Sequence, residues 1–339
     1  MLPADDSAPT EQTLTPWRFA PWLFGLLVLA VLILVVLRVG ELERFVQLAR
    51  GAQPEWLLLA LALQLATYAC TASVWRTSLA RAGAPHSLRS LIPLSLAKVF
   101  IDQLLPSGGL SGALILVRGL ARRGIDAAIA GQTLLVALVS YYSAYLIAAL
   151  AALAVLWLDH QTKPALVVAG AVFGASAVGT FAAVALLRRR GVPPEWLTKV
   201  PDIADLFTKV ATAPSTLLRD KRLLAVTVSL QLGVFALDAL TFWAIFSALA
   251  QSIGVATTFA TFMAASLAAT IGPIPLGLGT FESTAVALLH VLGVEVEAAL
   301  AATLLLRGFT FWLPMVPGLW LARREMAALR PETDAAPGR

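Results

Sequence analysis

Apolar residues in this chain gather into long, nearly unbroken runs, with polar residues confined to short breaks between them. Six runs are long enough to cross a bilayer: approximately Phe19–Val39, Trp56–Trp75, Ala127–Leu158, Ala165–Leu187, Leu223–Leu249 and Ala298–Ala322. About 20 apolar residues in a helix traverse a hydrocarbon layer of about 30 Å. Lipid offers no hydrogen-bond partners to the backbone, so each run must satisfy its own peptide groups, which a helix does. A membrane barrel would show short segments of alternating polarity, and these runs do not alternate. The pattern predicts an all-α integral membrane protein with about six transmembrane helices.

Two further stretches are shorter and broken by Gly and Pro. Leu91–Leu105 leads into PSGGLSG and then Ala113–Leu120; Phe259–Ile271 leads into GPIPLGLGTFE and then Ser283–Leu292. Each reads as two half-helices joined inside the membrane, a re-entrant hairpin. Irregular backbone at that depth is tolerated where protein or a water-filled cavity surrounds it. The turn glycines and prolines are Pro106, Gly108, Gly109 and Gly112 in the first stretch, and Pro273, Pro275, Gly277 and Gly279 in the second. Tight turns favour Gly because it adopts positive φ without steric cost. The half-helix N-termini beyond them present free N–H groups suited to an anion.

Charge placement sets the expected topology. With the N-terminus in the cytoplasm, the loop holding Arg76, Arg81 and Arg89 is cytoplasmic. So is the segment with Arg118, Arg122 and Arg123, provided the hairpin enters and leaves on one side. The loop of residues 188–222 and the tail with Arg323, Arg324 and Arg330 join them, while Gln251–Ala256 and the Glu295/Glu297 turn fall outside. Lys and Arg weigh far more than acids in this rule. The mixed Glu41–Arg50 loop fits it least. The expected organisation is a cytoplasmic arm (1–18), one polytopic membrane domain (19–322) and a cytoplasmic tail (323–339). The membrane domain divides into halves at 19–158 and 165–322.

Those halves carry a weak internal repeat. An offset of 169 residues places Pro106 on Pro275, Gly108 on Gly277 and Gly124 on Gly293. Each half reads as span, span, hairpin, long span, and the second half starts from the opposite side. An inverted repeat with broken helices is common in secondary transporters, whose sites lie near the midplane. The same offset sets Ala113 against Glu282, Leu138 against Arg307 and Ala69 against Asp238, so charge concentrates in the second half.

Composition narrows the function classes. Of the 339 residues 59% are hydrophobic and 13% charged, against about 25% charged in soluble domains. The net charge of +5 resides in short loops beside the spans, so no nucleic-acid partner is expected. Cys70 is the only cysteine, which removes an intrachain disulfide and a cysteine-based metal site. Asp5, Asp6 and Glu11 precede the first run without a basic n-region, so no signal peptide is read there. With no nucleotide-binding Gly-Lys-Ser/Thr loop and no HExxH, no cofactor and no metal are expected. A homo-oligomer is compatible with the sequence.

Ionisable residues inside spans are the candidate chemistry. Glu282 opens a half-helix, with Thr280 as the expected N-cap; it is either a dipole-favoured helix-end acid or a carboxylate facing substrate or proton. Arg307 lies too deep in the last span to snorkel easily. Its expected anion is Asp238 or Glu282, and the pair either locks two helices or offers a planar guanidinium to a lipid phosphate. Lys98 and Asp102, one turn apart, neutralise each other or leave Lys98 for an anionic headgroup. Arg118 is explained by topology, with headgroup contact secondary. His290 is expected at the interface.

LPSGGLSG followed by VRGLARRG, PIPLGLGTFE followed by HVLGV, and LLLRGFTFWLP together resemble the lysylphosphatidylglycerol synthase transmembrane-domain family, also called the flippase-like domain family. The resemblance runs from about Phe19 to Ala322, and its most specific part is Pro-x-Gly-x-Gly-x-x-Glu ending at Glu282, with Arg307 in the next helix. It implies movement of lipids across a bilayer, among them aminoacylated phosphatidylglycerol, hopanoids and lipid-linked sugars. In two-domain relatives a soluble aminoacyl-transfer domain follows; here only a short tail follows the last span, so that activity is not expected. Relatives often carry an acid where this chain has Ala113, and an Arg–Asp pair where it has Gln132 and the cluster Tyr141, Tyr142 and Tyr145. The expectation is a lipid transporter or flippase for an amphipathic or anionic lipid in a bacterial-type plasma (inner) membrane, multi-pass, with both termini cytoplasmic. The rival readings are a membrane-embedded lipid-modifying enzyme and an accessory subunit without transport of its own.

Overall fold

The computed structural model describes residues 51–104, 110–158, 216–271 and 277–327. Outside them lie the expected arm, the spans at Phe19–Val39 and Ala165–Leu187, most of the 188–222 loop, the end of the tail, and Pro106, Gly108, Gly109, Pro273 and Pro275. The described residues form α1 (Pro54–Arg81), α2 (Leu88–Leu104), α3 (Leu110–Ala121), α4 (Ala127–Leu158), α5 (Lys221–Ala248), α6 (Val255–Ile271), α7 (Thr280–Val291), α8 (Val296–Arg307) and α9 (Leu313–Ala327). A π-helical turn, Gly308–Trp312, joins α8 to α9. Among the described residues there is no strand.

Four helices are long and apolar enough to span a membrane: α1, α4, α5 and the continuous rod Val296–Arg324. Their ends follow local chemistry. Pro54 occupies the first turn of α1, where its missing N–H costs nothing. Gly83, at φ +80°, turns the chain after that helix. Asp220 caps α5 by accepting from the Arg222 and Leu223 N–H groups. Pro93 and Pro317 lie inside α2 and α9, as bundles tolerate when neighbours supply the lost bonds.

The internal repeat is plain in the helix lengths. α1 and α5 each have 28 residues, α2 and α6 each 17, and α3 and α7 each 12. The connections at 82–87 and 249–254 match as well. The sequence offset of 169 therefore needs refining. It is 167 over the first two helices of each half and 170 at the starts of α3 and α7, because the second turn is longer. On that register Asp238 falls on Thr71, not Ala69, and Glu282 on Gly112, not Ala113, while Arg307 stays on Leu138.

The equivalent helices α1 and α5 pack along their length and run antiparallel. The Gln53 N–H donates to the Ala248 carbonyl at 2.9 Å, joining the start of α1 to the end of α5. At the other end Arg81 Nη1 lies 3.4 Å from Asp220 Oδ2. Opposed directions in matching helices are what an inverted pair of halves requires.

Hairpin α2–α3 opens toward one end of the bundle. There His86 Nε2 lies 3.3 Å from the Arg123 carbonyl, and Arg123 donates to both the hydroxyl and the carbonyl of Ser90. Arg122 also donates to the Arg324 carbonyl. At the closed end, Gln103 Nε2 donates to the carbonyl of Thr310, near the middle of the Val296–Ala327 rod. The second hairpin, α6–α7, meets α4 similarly: Tyr145 Oη and Thr270 Oγ1 are 3.3 Å apart, near the middle of α4. At about 1.5 Å per residue, the two half-helices of each hairpin measure about 26 Å and about 18 Å.

Two apolar cores result. One gathers α1, α2, α3, the start of α4 and Ala322 around Trp75, Leu94 and Leu116. The other gathers the second hairpin, α5, α8 and the latter half of α4 around Phe242, Met263 and Leu289. Leu58, Leu150, Val316 and Trp320 are well exposed on the spans, an apolar surface suited to lipid. Apart from Lys98 and Arg307, every described Lys and Arg belongs to the end of the bundle where hairpin α2–α3 opens, or to the adjoining turn of a helix there. The start of α1 and the end of α5 hold none, and Trp56 packs edge-on against Trp243 there at 5.3 Å.

Candidate functional site

The second turn is built from its glycines. Gly277 has φ +62° and Gly279 φ +81°, conformations an L side chain rarely adopts. A Cβ on Gly277 would lie 2.3 Å from that of Ala269, so the turn also closes tightly onto α6. Gly279 caps α7, and this corrects the expectation that Thr280 would do so. The physical reason is the backbone: a positive-φ residue has to stand at the helix entry, and Thr280 is already helical. Its hydroxyl is buried without a hydrogen-bond partner.

Glu282 is then the third helical residue, placed to reach back to its own helix start. Its Oε2 accepts from the Gly279 N–H at 2.7 Å and its Oε1 from Arg307 Nε at 2.7 Å. The two side chains are 2% and 14% exposed, a nearly dry ion pair that ties α7 to α8. Of the two anions expected for Arg307, the structure brings up Glu282. The guanidinium also lies 5.1 Å from the Phe281 ring centre and 4.9 Å from that of Phe311, held between aromatic faces.

Arg307 is the last residue before the π turn, a feature that often accompanies functional sites. Three residues on, the Thr310 carbonyl accepts from Gln103 at the closed end of the first hairpin, at 3.0 Å. The rod therefore binds both hairpin turns within Arg307–Thr310. Sequence reasoning did not single out Gln103 or this π turn. An amide beside Asp102 in an apolar stretch was the available signal.

At the first turn Lys98 Nζ lies 2.6 Å from Asp102 Oδ2, and Asp102 Oδ1 accepts the Gly112 N–H at 2.9 Å. Gly112, expected in the turn itself, is instead the third residue of α3. Its lack of a side chain is still required, because a Cβ there would lie 2.3 Å from the Asp102 carboxylate. Arg118 stands half-buried in the last turn of α3, toward the open end and away from the second turn. His290 is exposed at the end of α7.

Asp238 sits in the middle part of α5, near Gln64 of α1, and is not part of the Arg307 pair. Tyr141 and Tyr145 of α4 stack at 5.9 Å with planes 9° apart, Tyr142 meets Tyr141 edge-on at 5.4 Å, and Phe235 of α5 adjoins them. Among the described residues no three His, Cys, Asp or Glu side chains converge as a metal site would need.

An all-helical bundle with membrane-length apolar rods, and with buried charge tied to two Gly-rich helical turns, defines a polytopic membrane protein. Residues 22–318 match the family model described as the lysylphosphatidylglycerol synthase TM region, and the chain belongs to that family. The membership points to a membrane protein related to lipid handling. Comparison with curated proteins returns no match.

Proposed function

We propose that the protein is a lipid transporter, a flippase that moves an amphipathic or anionic lipid between leaflets. The observation that carries this reading is the meeting of both hairpin turns on one short segment of the last rod, through Glu282–Arg307 and Gln103–Thr310. Polar and charged groups gathered at mid-rod are expensive in hydrocarbon, about 2.5–3.5 kcal/mol for a charged residue on insertion scales, and are retained where a polar substrate passes. Both hairpins re-enter on their own side in this reading. Half-helices of 12 residues, about 18 Å long, are too short for a layer of about 30 Å. The antiparallel α1–α5 pair supports two inverted halves, with six spans once residues outside the described set are included.

The lipid headgroup travels along the polar strip between the turns while its chains stay in the surrounding bilayer. The guanidinium of Arg307 suits a phosphate, because its planar fork binds oxyanions in two-pronged fashion. Lys98, Asp102 and Asp238 line this route, and Arg118 stands where it would open toward the cytoplasmic end. The arginine-rich end of the bundle faces the cytoplasm of a bacterial-type inner membrane. Reconstitution into liposomes with headgroup-labelled phosphatidylglycerol tests the reading. Labelled lipid from the inner leaflet should become accessible to an impermeant quencher faster than in protein-free vesicles, and chemically unchanged. Equal rates with and without protein would overturn it, and a covalently altered lipid would mark an enzyme instead.

A further inference from the structure

The in-span charges differ in how they are neutralised. Glu282 meets Arg307, and Asp102 meets Lys98. Among the described residues Asp238 forms no ion pair, although it lies ten residues from the nearer end of α5, about 15 Å along the helix. The repeat offers no reason for an acid there, since its equivalent in α1 is Thr71.

The groups around the half-buried Asp238 and the buried Glu282 also differ. Glu282 receives a backbone N–H and a guanidinium N–H, both donors only, with a fixed positive charge facing it. Asp238 faces groups that can either donate or accept. Gln64, 4% exposed, stands beside it on α1; its amide N–H₂ donates to Thr67 Oγ1 at 3.3 Å, which leaves its second N–H and its C=O for Asp238. The Gln64 Oε1 atom has no hydrogen-bond partner, and neither has the buried Tyr68 hydroxyl one turn along. An ionised Asp238 accepts from the Gln64 N–H₂ or the Tyr68 O–H. A protonated Asp238 donates to Gln64 Oε1 after a half-turn of the amide. Both charge states find partners without a fixed charge nearby among the described residues.

Among the described residues, the other elements packed on α5 bring no fixed charge to this site. From α1 the titratable groups near mid-helix are Tyr68 and, toward Gly233, Cys70, with Glu55 at its start and Arg76 and Arg81 at its end, Arg81 paired with Asp220. From α4 it is Tyr141, beside Tyr142 and Tyr145. α6 carries no titratable residue, and α8 carries Glu297 and Arg307, the latter held by Glu282. Arg219, in the turn before α5, stands at the far end of that helix.

We propose that Asp238 is the proton-binding site through which lipid movement in this chain is coupled to the transmembrane proton gradient. The carboxylate takes one proton from the side of higher activity to become the neutral acid and returns it on the other side, so nothing else is consumed. The coupling rests on the transport reading above; the proton site does not.

Two measurements on the reconstituted protein separate these claims. Dicyclohexylcarbodiimide reacts with protonated carboxyls in apolar surroundings, and peptide mass spectrometry locates the adduct. Asp238 should be labelled and Glu282 not, with labelling falling by about tenfold per pH unit above the midpoint and absent in Asp238→Asn. No adduct at Asp238, or one indifferent to pH, would overturn the proton site even if lipid moves. In the second measurement, the rate of labelled phosphatidylglycerol movement is compared with an imposed pH gradient and with the gradient collapsed. Wild type should be stimulated severalfold by the gradient, and the ratio should fall to one in Asp238→Asn. Stimulation that persists in Asp238→Asn, or is absent from a wild type that moves lipid, would overturn the coupling. A wild type that moves no lipid overturns the transport reading and the coupling together, and leaves the labelling result to decide the proton site.

Discussion

The two hairpins share one scaffold and hold their charge differently. Both pair a 17-residue helix with a 12-residue helix, and both bring a carboxylate to the N-terminal region of the shorter one. In the first, the acid comes from the longer helix: Asp102 reaches across to the Gly112 N–H, with Lys98 one turn behind it on the same helix. In the second, the acid comes from the shorter helix itself: Glu282 reaches back to Gly279 and out to Arg307 on another element. The first pair is 28% and 23% exposed, the second 14% and 2%. A pair within one helix neutralises locally. A dry pair between elements fixes how the second hairpin sits on the last rod, so the same fold carries a looser turn and a locked one.

The largest effect that could break this contrast is expected from Arg307→Leu. It leaves Glu282 buried beside a lost partner, which typically costs about 3–5 kcal/mol. Thermal unfolding in detergent should show a marked drop, and an unchanged midpoint would make the second turn no more locked than the first. Gly277→Ala should follow, because positive φ on a residue with Cβ costs about 1–3 kcal/mol and its Cβ has no room beside Ala269. Asp102→Asn is expected to be milder, since its pair lies within one helix and is less buried than Glu282–Arg307. Comparing the same unfolding midpoints for Asp102→Asn and Arg307→Leu sharpens the contrast directly.

The smallest effect concerns Asp220, outside the spans. The N–H of Leu223 foremost, then the Arg81 guanidinium and the Arg222 N–H, hold its carboxyl below the usual range. A lowered folded-state pKa means the cap contributes fully above the ordinary aspartate value of about 3.9 and is lost as pH falls through the lowered one. Asp220→Asn should therefore narrow the difference in stability between neutral and strongly acidic pH, read from unfolding midpoints at each.

Much of this architecture was legible because hydrocarbon imposes long apolar runs. Ala127–Leu158 coincides with α4 to the residue, and the breaks around Gly277 and Gly279 mark a turn that glycine alone accommodates. Glu282 and Arg307 stood out as charges where charge is costly. What the pattern could not give was which partners meet. Asp238 and Glu282 were equal anions for Arg307 until the fold put one on α7 beside α8. The π turn has no sequence signature, because it depends on how the rod packs; Gln103 could be noticed as an amide in an apolar stretch, but its partner, the Thr310 carbonyl, came only from the fold. Gly112 was read into the turn because a glycine run does not say where a helix begins.

The most direct test is the rate of labelled-lipid movement by reconstituted Glu282→Gln, normalised to folded protein. Glutamine keeps the size and one acceptor oxygen of Glu282 but removes the charge facing Arg307. A folded Glu282→Gln protein whose lipid movement falls to the rate of protein-free vesicles is the expected result; a folded one that moves lipid at the full wild-type rate would contradict a working role for the pair.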